Sequence, residues 1–99
     1  MFKLMATEMT DREIRICMSL LFDGAEIQSV TRERQANSIN VEFVFMNDTY
    51  CKKHSVDLLP DSIDELSPGV DIKPGGEYFY KQFMVAKGYS EYWKDNIFI

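Results

Sequence analysis

Asp61, Asp71 and Lys73 stand in the outline of a metal-dependent nuclease. In Pro60-Asp61 followed by Asp71-Ile72-Lys73, two acids would hold a divalent cation and the lysine would help to activate water. That chemistry needs all three side chains to converge at the ends of neighbouring strands. Pro68, Gly69 and Pro74 crowd the interval and oppose a regular strand at 71–73. A three-letter match inside an acidic stretch also arises readily by chance, and no basic groove for nucleic acid accompanies it. The nuclease is therefore kept as an alternative only.

Cys51 and His54 are three apart, a spacing that suits two metal ligands or a thiolate–imidazole contact on a helix. A structural zinc site needs four ligands, and only Cys17 and nearby acids remain to complete one. The single histidine has no second partner to orient it, as a nucleophile–base pair requires. Flanked by Lys52 and Lys53, Cys51 reads as a moderately reactive surface thiol. There is no phosphate-binding glycine loop, no G-x-S-x-G and no metalloprotease helix motif. We assign no catalytic residue, no metal site and no cofactor from the sequence.

The strongest signal is electrostatic. Between Asp57 and Asp71 the chain reads DLLPDSIDELSPGVD, with acids at Asp57, Asp61, Asp64, Glu65 and Asp71 and no base. Elsewhere acids and bases nearly cancel, so the formal charge of −5 belongs to this stretch. Held on a loop stiffened by Pro60 and Pro68, these carboxylates would form a negative patch that docks on a basic surface. The plainer account is that Asp61, Ser62, Asp64 and Glu65 cap a short helix and are otherwise solvated. Tyr78, Tyr92 and Trp93 flank the segment as aromatic anchors that would exclude water at an interface. Stacking on single-stranded bases is a weaker alternative, because the interleaved Lys81, Lys87 and Lys94 make no large basic field. Arg12, Arg15, Arg32 and Arg34 gather in the first third and would oppose the acidic segment of a second molecule in a head-to-head homodimer.

The positioning elements follow from periodicity. Thr10-Asp11-Arg12-Glu13 is a capping box, and Ile14, Cys17, Met18, Leu21 and Phe22 recur at helical spacing up to Gly24. These predict a helix over about 11–23, with Ile16 and Leu20 as a second apolar edge. SINVEFVFM (38–46) predicts a strand with Ile39, Val41, Phe43 and Phe45 on one face and Asn40, Glu42, Val44 and Met46 on the other. Residues 25–34 would pair with it across Gln35-Ala36-Asn37, and 49–59 would return as a third strand after Asn47-Asp48. A short strand is expected at 2–6, and a helical turn at the second capping-box pattern, Ser62–Glu65. EYFYKQFMVAK (77–87) predicts a helix with Phe79, Phe83 and Ala86 on one stripe and Tyr80 and Met84 beside it. Eight of the thirteen aromatics fall in 78–98, which marks the C-terminal part as core or partner surface.

The sum is an α+β fold in one domain, 1–99: a small antiparallel sheet of three to four strands against an N-terminal helix and a C-terminal aromatic-rich helix. A chain of this size hides roughly two thirds of its unfolded surface, enough for one modest core. No apolar run approaches membrane-spanning length and no signal-peptide pattern opens the chain, so a cytoplasmic protein away from membranes is expected. The acidic balance disfavours nucleic acid as a partner. The function expected is a non-enzymatic protein-binding module, an inhibitor or adaptor engaging a basic partner through Asp57, Asp61, Asp64, Glu65, Asp71, Tyr78, Tyr92 and Trp93. In size and charge it is similar to small acidic inhibitors, including phage proteins that disarm nucleic-acid-binding enzymes, though no motif matches a family. A self-assembling structural subunit is the other alternative.

Overall fold

In the computed structural model, which describes residues 4–90, helix α1 spans Asp11–Leu21 and helix α2 spans Gly76–Ala86. Between them run β1 (Ala25–Glu33), β2 (Ser38–Phe45), β3 (His54–Leu58) and β4 (Ile63–Asp64), each paired antiparallel with the next in the order β1-β2-β3-β4. This is the expected α+β architecture with a four-stranded sheet.

α1 begins where its capping box places it. The Thr10 hydroxyl accepts from the Glu13 N–H at 3.1 Å, and the Glu13 carboxylate accepts from the Thr10 N–H at 2.9 Å. Two orphan donors of the first turn are thereby satisfied. Burial pulls the Glu13 carboxyl up, but hydrogen bonds from Tyr89 and Thr10 and the charge of Lys87 outweigh it and hold the group below its ordinary value. Ile14, Cys17, Met18 and Leu21 are buried, and burial pushes the Cys17 thiol up to about 12. The helix stops at Leu21 because Phe22 is extended and turns its ring onto Phe43, 4.9 Å away.

Period-2 alternation divides β2 cleanly. Ile39, Val41 and Phe43 are fully buried under the helices, beside Val56 and Leu58 of β3. Asn40, Glu42 and Val44 face the other way, on the side of the sheet away from α1 and α2. In β1 a register shift between Ile27 and Ser29 leaves Gln28 as an extra residue. Ala25, Ile27, Val30 and Arg32 consequently share the helix side, while Glu26, Ser29, Thr31 and Glu33 share the open side.

Three local expectations differ from the structure. The strand expected at 2–6 lies partly outside the described residues, and from Leu4 onward the chain makes a 3₁₀ turn at Ala6–Glu8 instead. Side chains hold that turn: Glu8 accepts from the Met5 N–H at 2.7 Å and Asn37 from the Ala6 N–H at 2.6 Å. The second capping-box pattern, Ser62–Glu65, does not start a helix. Ile63 and Asp64 pair with Leu58 and Asp57 as β4, because closing the hairpin packs the half-buried Ile63 against the core. In α2 the buried positions are Gly76, Tyr80 and Met84, one place along from the stripe expected, and Phe79 is 51% exposed. Tyr80 is taken inside because its hydroxyl donates to the Leu59 carbonyl, which satisfies the one polar atom it carries inward. Burial raises its phenol well above the usual range. Gly76 lets α2 approach α1, since a Cβ there would lie 2.8 Å from the Leu20 carbonyl oxygen.

Candidate acidic docking face

Register builds the site. Asp57 on β3 lies directly opposite Asp64 on β4, and on its other side opposite Asn40 of β2. Asn40 donates to Asp57 at 2.7 Å, and the Glu65 N–H donates to Asp64 at 2.8 Å. These bonds orient both carboxylates without neutralising either. Glu42, two residues along β2 from Asn40, extends the same open face and accepts from the Ser29 hydroxyl at 2.6 Å. Glu26 and Glu33 complete it at the two ends of β1. Five carboxylates thus share one side of the sheet, and none of the strand residues on that side is a base.

Among the described residues the ion pairs are Arg32–Asp11 at 3.4 Å and Lys73–Asp23 at 3.5 Å, and neither touches this face. Like charges directly opposite on neighbouring strands destabilise a sheet by roughly 0.2–1 kcal/mol. The Asp57–Asp64 pairing therefore works against stability and is held in place by the hairpin around it. Tyr80 is the main brace, tying α2 to Leu59 at the entrance of the 59–62 turn, which Leu59 N–H closes onto the Ser62 carbonyl at 2.9 Å. Ser67 supplies a second brace, bonding the Ser55 N–H at 2.8 Å and donating its own N–H to the Ser55 carbonyl at 3.0 Å.

The remaining expected residues divide. Asp61 sits in the 59–62 turn, close enough to Tyr80 for its charge to act on the phenol. Glu65 follows β4 in the left-handed region (φ 50°) and is exposed. Asp71 is exposed in the segment leading to α2. Tyr78 lies on α2 opposite the buried Tyr80–Met84 stripe, 48% exposed, with its ring edge-on to Phe79 and its hydroxyl accepting from Gln82 at 2.6 Å. That places Tyr78 in the helix layer, whereas Asp57 and Asp64 lie on the open face of the sheet. Tyr92 and Trp93 lie outside the described residues. Glu42, Glu26 and Glu33 were missing from the sequence-derived set. The alternation in 38–46 already put Glu42 on the outer face, but only the register joins it to Asp57.

The groups of the other readings are engaged elsewhere. The Lys73 ammonium contacts Asp23 and the Ser19 carbonyl at 3.2 Å, against the C-terminal end of α1. No group of three or more His, Cys, Asp or Glu able to hold a metal occurs among the described residues. His54 packs against the rings of Phe43 and Phe45, with centroids 5.7 and 5.3 Å away, while Cys51 is exposed in the preceding loop. Arg32 is spent within its own chain, donating to the carbonyls of Thr7 at 3.1 Å and Met9 at 2.7 Å. Among the described residues no helix is long and apolar enough to cross a membrane. Comparison with known proteins finds no family model, curated protein or solved structure that matches this chain.

Proposed function

We propose that the protein is a non-catalytic binding module, an inhibitor or adaptor, whose open sheet face docks on a basic surface of a partner protein. The observation that carries this reading is the Asp57–Asp64 pairing, extended by Glu42, on a face whose described strand residues include no base. A sheet surface held by β2 and β3 presents its carboxylates on paired backbone, so little ordering entropy is lost on docking. Within a Debye length of about 8 Å these charges add, which favours encounter with a cationic surface and repels anionic ones. Asp61 and Glu65 border the patch at the β3–β4 hairpin and belong to the docking surface. Tyr78 belongs to the helix layer and would serve a partner that reaches beyond the sheet face.

The test is capture of partners from cell extract by wild type and by a Glu42→Gln, Asp57→Asn, Asp64→Asn triple variant, at low and high ionic strength. A protein retained by wild type at low salt, and lost both at high salt and by the triple variant, is the expected result. Equal retention by a variant with unchanged circular dichroism would remove the acidic face from the binding surface.

A further inference from the structure

The sheet has two edges, and they differ. β4 closes one with only two residues, which gives little template for another strand. At the other edge β1 runs nine residues, bonded to β2 on one side only, and among the described residues no backbone group pairs with its outward side. Beside this edge lies a groove of about 770 Å³ between α1 and β1, lined by Ile27 and Val30 together with Arg15, Ser19, Glu26 and Arg32. A long edge strand next to an open groove that can take side chains is the arrangement that accepts an added strand.

We propose that the occupant is a second copy of this chain, with β1 pairing antiparallel to its counterpart about a two-fold axis at Ser29. Charge along the edge favours a self-pairing. Asp23, which also contacts Lys73, and Glu26 lie at its beginning, and Arg34 just beyond its end after Glu33, while Arg32 is engaged within its own chain. In an antiparallel pair the acidic end of each copy meets the basic end of the other, twice by symmetry. The faces narrow the register, because apolar side chains must stay on the groove side. An axis at Val30 would set Glu33 opposite Glu26 in both halves. An axis at Ser29 sets Val30 beside Ile27, Thr31 beside Glu26 and Arg34 beside Asp23, with Gln28 as the extra residue. It also uses the strand from end to end. A Thr31–Glu26 contact would repeat the hydroxyl–carboxylate pair that Ser29 and Glu42 make at 2.6 Å within one chain. Two four-stranded sheets become one of eight, Ile27 and Val30 of each copy close the other's groove, and both acidic faces lie on one side. The dimer does not depend on what that side binds.

Sedimentation equilibrium of the full chain tests the proposal, with a species of twice 11.6 kDa expected. Thr31→Glu sets like charges against Glu26 in both halves and should weaken the dimer about tenfold, whereas Thr31→Lys should tighten it. Both positions face solvent in the single chain, so far-UV circular dichroism checks that the fold is kept. In a Cys51→Ser background, Ser29→Cys should cross-link into a covalent dimer on mild oxidation, since residues facing each other across an antiparallel pair lie within disulfide reach. Glu33→Cys in that background should not. A monomer at every concentration up to about millimolar, where even weak pairing of Kd about 1 mM shows, would overturn the proposal. So would a dimer that ignores both Thr31 changes and fails to cross-link through residue 29.

Discussion

On the helix-covered face of β2, Ile39, Val41 and Phe43 are wholly buried, whereas one residue along, Asn40, Glu42 and Val44 keep partial contact with water. The covered face is mutually supporting. Phe22 stacks on Phe43, Phe45 meets Phe43 edge-on at 5.5 Å, and Tyr80 fills the space beneath α2 with its hydroxyl satisfied. The open face opposes itself, with Asp57 and Asp64 in register and Glu42 nearby. One strand thus carries a surface selected by packing and a surface that packing alone would not produce. Where local choices work against stability, function is the usual compensation.

Substitutions on the two faces should differ in size and in sign. Phe43→Ala removes the centre of the aromatic cluster and should cost about 3–5 kcal/mol in chemical denaturation, enough to threaten the fold. Gly76→Ala tests how closely the helix layer is packed. The added methyl would meet the Leu20 carbonyl oxygen at 2.8 Å and Ile72 Cγ2 at 3.0 Å, so α2 must shift, at a cost of about 1–3 kcal/mol. A smaller loss would mean that α1 and α2 slide apart readily, and that the covered face is less constrained than its burial implies.

Much of the covered face was legible in the residues. A capping box placed the start of α1, helical spacing named Ile14, Cys17, Met18 and Leu21, and strict alternation gave both faces of β2. The misreadings share one cause, long-range contact outweighing local pattern. Ser62–Glu65 has a helix-start pattern, yet pairing with Asp57 and Leu58 makes it a strand. Tyr80 stands only beside the stripe expected of α2 until Leu59 supplies a carbonyl for its hydroxyl and draws it inside. The candidate site was half legible. The acidic run pointed to Asp57 and Asp64, but it also drew in Tyr78 from the opposite layer and left out Glu42. A contiguous run is a property of sequence, whereas a patch is a property of register, and cross-strand neighbours such as Asn40 and Asp57 stand 17 residues apart.

The central claim is that the carboxylates of the open face repel one another without a counter-charge among the described residues, and the stability of Asp64→Asn tests it most directly. The substitution keeps an oxygen to accept from the Glu65 N–H and removes one of two facing charges. Urea unfolding at low ionic strength should show the variant more stable than wild type by about 0.2–1 kcal/mol, with the gap narrowing as salt is added. A variant less stable than wild type, or a difference indifferent to salt, would mean that the charge at Asp64 is already compensated within the fold.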